Sequence, residues 1–145
     1  MKGMTPVVQN VSRLVAGFVI LYAVYVVCTG HLAPGGGFAG GVILMAGVVM
    51  LVLAFGGDRA RELMAENRCH VLDGSGALVF VLVALFGFFA GGFFKNFLDR
   101  GTAHEFLSGG TIMVCNLAIG LKVAAGLVGI FLALVLASRQ AMPKE

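Results

Sequence analysis

A lysine interrupts the last apolar stretch of the chain. Lys122 lies inside TIMVCNLAIGLKVAAGLVGIFLALVLA, residues 111–137, far from either end. A lysine at the centre of a membrane helix costs roughly 2.5–3.5 kcal/mol on insertion scales, so it must face protein or water rather than lipid. Ala118, Ala125, Gly126 and Gly129 share its helical face. All are small, so this face can press on another helix or border a cavity. Two readings of Lys122 stand side by side: a structural charge paired with a carboxylate or backbone carbonyl, or part of a hydrophilic ion path. The apolar segments carry no Asp or Glu in their interiors, so a carboxylate partner is expected from another polypeptide.

Asn116 and His31 are the other polar candidates for an ion path. Asn116 precedes Lys122 by six residues, roughly a third of a turn around the helix, so the two need not share a cavity. An intramembrane asparagine is more often an interhelical hydrogen-bonding group. A proton relay is built from chains of Asp, Glu or His, and these residues form no chain. The segment therefore contributes part of a path at most. His31 stands at the mouth of the second apolar segment, with His104 and Glu105 expected on the same side. No metal-ligand spacing links them, and no metal is expected. Asp99 and Arg100 read as an exposed or subunit-facing pair. Cys28, Cys69 and Cys115 form no C-x-x-C, so neither a zinc site nor a local disulfide framework is encoded. The phenylalanines from Phe80 to Phe94 are expected to cover several faces of one helix, and no cofactor is needed to explain them. No catalytic residue is singled out among these candidates.

These residues must be positioned by membrane helices. The chain has 145 residues, 59% hydrophobic and 12% charged, against about 25% charged in soluble domains. Such a surface suits lipid. A span takes about 20 apolar residues, and four segments qualify: about 7–29, 38–56, 76–94 and 109–137. The expected fold is all-α, an integral membrane bundle of four transmembrane helices. The first segment lacks a small-x-small cleavage site and reads as a retained helix, not a secretory signal. Between the second and third segments, DRARELMAENRCH (residues 58–70) reads as a short interfacial helix. Lys2, Arg13, Arg59, Arg61, Arg68, Arg139 and Lys144 fall on one side, and only Lys95 and Arg100 on the other. The positive-inside rule then places both termini in the cytoplasm. The pI near 9.0 reflects this topology rather than a nucleic-acid partner, because the basic residues form no single run.

The segment GHLAPGGGFAGG, residues 30–41, opens the second span. Pro34 lacks a backbone N–H and turns Ala33 away from helical geometry. Gly35, Gly36 and Gly37 can adopt conformations closed to other residues. Irregular backbone at membrane depth persists only when buried in protein or lining water. Neighbouring subunits are expected to supply that cover. Gly36/Gly40, Gly37/Gly41 and Gly87/Gly91 are G-x-x-x-G pairs, which permit close helix approach in lipid. Tight packing is one reading of these glycines, and a backbone-lined ion site is the other. A phosphate loop is excluded, since the Walker-type lysine and Ser/Thr are missing.

GHLAPGGGFAGGVILMAG resembles the signature of the MnhB domain, found in a small subunit of Mrp-type multisubunit sodium/proton antiporters. The similarity is specific at His31, Pro34, Gly35, Gly36, Gly37, Phe38, Gly40 and Gly41, and extends more loosely to NLAIGLKVAAGL in the last helix. It covers nearly the whole chain, which reads as one MnhB-like membrane domain over residues 1–145. The resemblance implies an accessory subunit of a cation/proton antiporter in the cytoplasmic membrane of a prokaryote. Its implied partners are small Mrp-type subunits and large antiporter-like subunits. Related small subunits recur in membrane-bound hydrogenases and other ion-pumping respiratory complexes, and the sequence does not separate those settings. A further alternative is a self-sufficient homo-oligomeric channel or exporter.

Overall fold

The computed structural model describes residues 3–56, 66–98 and 108–140, without the side chains of Glu66, Asn67, Arg139 and Gln140. The helices are α1 (Pro6–Cys28), α2 (Gly36–Phe55), α3 (Glu66–Phe86) and α4 (Thr111–Gln140), with a single 3₁₀ turn, Gly87–Ala90, extending α3. Among the described residues, four helical spans are long and apolar enough to cross a membrane: Pro6–Cys28, Gly36–Phe55, Arg68–Ala90 and Thr111–Ser138. Helices suit these sequences because every backbone polar group is satisfied within the segment, as hydrocarbon requires. Pro6 opens α1, where its missing N–H costs nothing. At the other end, the Thr29 hydroxyl and its backbone N–H both donate to the Tyr25 carbonyl, at 2.8 and 2.9 Å, and α1 stops.

The helices lie in a row, α1–α2–α4–α3, with a lesser contact between α1 and α4. α1 and α2 form an antiparallel hairpin, closed where Met4 N–H donates to the Ala54 carbonyl at 2.9 Å. Arg13 sits 5.2 Å from the centre of the Phe55 ring at the same end. α4 runs parallel to α2, because Gly37 meets Asn116 and Gly41 meets Gly120 and Val123. α3 runs back along α4, with Gly76 against Ala118 and Lys122, and Gly129 near Cys69. Val52, Cys69, Val128 and Leu132 form the core cluster. Since Val52 lies in the last turn of α2 and Leu132 toward the end of α4, both ends of the described chain share one end of the bundle.

The third span departs from expectation at both ends. Hydropathy places it over 76–94, but helix begins by Glu66 and stops at Ala90. Arg68, His70, Asp73 and Ser75 lower the local hydropathy without breaking the helix. At the far end, Gly91 takes a left-handed conformation (φ 96°) and terminates it. Phe93 and Phe94 therefore lie beyond the helix. The expected interfacial helix at 58–70 falls largely outside the described residues, and its part from Glu66 to His70 belongs to α3.

Candidate functional site

The helix-entering side of the glycine turn, from Gly36 to Gly41, packs against its own chain. Gly35 (φ 149°) and Gly36 (φ 77°) adopt backbone conformations that disfavour a side chain. Pro34 and Gly35 are exposed, whereas Gly36, Gly37, Gly40 and Gly41 are buried within the isolated chain. A Cβ on Gly40 would lie 2.9 Å from the Ala23 carbonyl oxygen, against α1. One on Gly41 would lie 2.8 Å from the Gly120 carbonyl oxygen, against α4. A Cβ on Gly36 would stand 3.4 Å from Asn116 Oδ1. α1 and α4 thus cover the glycines at the start of α2, while the irregular backbone from Leu32 to Gly35 stays exposed in the isolated chain. α4 runs parallel to α2 and lays its backbone directly on Gly37 and Gly41.

Asn116 and His31 both gather at this turn. The Asn116 amide lies beside Gly30 and Gly36, and the His31 ring packs on Gly109, where a Cβ would meet its Cγ at 2.9 Å. The α4 entrance is fixed by Asn96, whose side-chain oxygen accepts from the Thr111 N–H at 3.1 Å and the Leu98 N–H at 3.2 Å. His104, Glu105, Asp99 and Arg100 lie outside the described residues.

Lys122 lies elsewhere, at the α3–α4 seam. Counted along α4 at 1.5 Å per residue, it stands about 17 Å from Thr111 and about 24 Å from Ser138, near the middle of the span. Its ammonium donates to Asp73 Oδ1 at 2.8 Å. The expectation that the spans hold no carboxylate, and that a partner must come from another subunit, is corrected by this contact. Asp73 belongs to the span Arg68–Ala90. A helical face of Cys69, Asp73, Gly76, Phe80 and Val83 could have revealed it, since these recur at three- and four-residue spacing. Gly76 lets α3 approach: a Cβ there would lie 2.8 Å from the Ala118 carbonyl oxygen and 3.1 Å from Lys122 N. Gly126 lies next to Asp73 on the same seam. In the isolated chain the Lys122 and Asp73 side chains remain 47% and 39% exposed.

Gly87 and Gly91 end a helix in place of packing two helices together. Residues 92–95 fold back over Gly87, where a Cβ would meet Lys95 N at 2.7 Å. Gly92 N–H donates to the Gly87 carbonyl at 3.2 Å within this fold-back. Among the described residues, no group of three or more His, Cys, Asp or Glu side chains could hold a metal.

Among the described residues, four helices long and apolar enough to cross a membrane define a multi-pass membrane protein. The sequence profile described as "Domain related to MnhB subunit of Na+/H+ antiporter" matches residues 7–129, and the chain belongs to this MnhB family. It is 36% identical over 85 residues to a Na(+)/H(+) antiporter subunit of Bacillus subtilis, covering 59% of each chain. It is 31% identical over 131 residues to an uncharacterised protein of Methanocaldococcus jannaschii, covering 85% of this chain and 49% of that one. A solved structure of the membrane-bound sulfane sulfur reductase, an archaeal respiratory membrane complex, contains a chain of similar fold. The TM-score is 0.70 at 30% identity, over 88% of this chain and 56% of that chain. The chain thus spans about half to three fifths of the length of these relatives.

Proposed function

We propose that this chain is an accessory membrane subunit of a multisubunit Mrp-type cation (sodium)/proton antiporter, without catalytic activity of its own. The family match over residues 7–129 carries this reading, together with the similarity to a bacterial antiporter subunit. In it, the chain sits in the cytoplasmic membrane of a prokaryote with both termini in the cytoplasm. It packs against large antiporter-like subunits and other small Mrp-type subunits. Lys122 touches the ion path, supported by its charge at mid-span and its outward exposure. Asn116 and His31 line the mouth of the glycine turn, and the glycines hold that mouth in shape. A second reading places the same subunit in an ion-pumping respiratory complex. The fold shared with a chain of the sulfane sulfur reductase favours it.

The test is antiport in vesicles by the complex purified through a tag on this chain, with rates expressed per assembled complex. The native complex should exchange sodium for protons. Lys122→Ala should lower the rate per complex about tenfold, the loss of roughly 1.4 kcal/mol of stabilisation. A normal rate per assembled complex removes Lys122 from the path. Redox subunits co-purifying in place of antiporter subunits would select the second reading.

A further inference from the structure

The Asp73–Lys122 pair is neutral as a unit yet open to the outside. Lys122 has three N–H donors, and among the described residues it uses them on Asp73 alone. Asp73 likewise has acceptor sites beyond the oxygen that meets Lys122. α3 leans chiefly on α4, and the outward side of their seam stays exposed among the described residues. Leu72 and Leu121 flank the pair and are 44% and 41% exposed. Lipid tails offer no hydrogen bonds, so leaving this pair against them is costly.

We infer that the outward seam of α3 and α4 is a subunit interface, where a transmembrane helix of a neighbouring subunit meets the Asp73–Lys122 pair. That helix presents a neutral hydrogen-bonding group: a hydroxyl, a carboxamide or a free backbone carbonyl. A carboxylate is excluded by charge. Asp73 already neutralises Lys122, and a second anion would leave an uncompensated negative charge in a low-dielectric site. A neutral group satisfies the spare donors and acceptors and adds no net charge. Asp73 is thereby the residue that sets the chemistry of the partner. The inference rests on the proposed role only in taking the chain to work among other subunits.

The test compares Asp73→Asn, Lys122→Gln and the double variant in the complete complex, reading assembled complex by native electrophoresis. Each single change strands one charge and should lower assembly about tenfold or more. The double change removes both charges and should restore assembly to within about twofold. Normal assembly of either single variant would overturn the inference, as would failure of the double variant to recover. The second result marks a partner carboxylate. A photoreactive residue in place of Leu121 gives an independent reading. Its adduct should be with another subunit, and an adduct with lipid alone, with a second copy of this chain, or none at all, sinks the interface. Antiport per complex by the double variant reports separately on the ion path. Restored assembly with lost transport supports both proposals, while restored assembly with normal transport removes only Lys122 from the path.

Discussion

At the scale of single residues, glycines of the same type have opposite roles according to what faces them. Gly40 has α1 backbone where a side chain would go, with the Ala23 carbonyl 2.9 Å from an added Cβ. Gly74, in α3, has nothing within 4 Å. Gly40→Leu should therefore pry α1 from α2 and abolish accumulation of folded protein, whereas Gly74→Ala should be neutral or raise helix stability by up to about 1 kcal/mol. Membrane-inserted protein and its protease resistance measure both, and equal tolerance of the two changes would contradict the packing described. Asp73 makes the same point for charge. It lies outside the third span expected at 76–94, and only the helix extended back to Glu66 and the packing of α4 bring Lys122 to 2.8 Å from it.

At the scale of elements, the end of α3 and the start of α4 are built as one joint. Gly91 stops the helix, the chain folds over Gly87, and Phe94 holds a positive φ of 58°. That conformation costs a bulky residue about 1–3 kcal/mol, and the Phe94 ring packs on Phe80 and Phe93, 5.3 and 4.9 Å between centres. Asn96 then reaches the first turn of α4 and occupies the Thr111 N–H, one of the four donors a helix start leaves open. Asn96→Ala should cost about 1 kcal/mol, seen as an earlier midpoint in SDS-induced unfolding. Asn96→Asp keeps the acceptor and should hold the midpoint. An unchanged midpoint in the alanine variant would remove Asn96 as the tie between the two helices.

At the scale of the whole molecule, a row of four helices leaves two broad apolar faces. No large side chain among the described residues is fully buried. Leu14, Phe18, Leu21 and Tyr22 on α1 are each more than half exposed. Such a layer suits the proposed place among other membrane subunits, and its mid-span lysine is paired rather than lined up in a relay. The isolated chain reconstituted in liposomes should therefore conduct no ions, and sodium or proton flux from it alone would favour a self-sufficient channel. Composition and the length of the apolar runs determined the number of membrane-length helices among the described residues and their membrane setting, because insertion depends on summed hydropathy over about 20 residues. The residues from His31 to Gly41 determined the family resemblance, and Lys122 was conspicuous wherever its helix lay. Only the tertiary structure decided what those residues meet. Side-by-side order is set by which small faces let backbones approach, and in lipid that choice comes from close packing rather than hydropathy. It took the parallel run of α4 along α2 to cover the glycines, and the antiparallel return of α3 to give Lys122 its carboxylate.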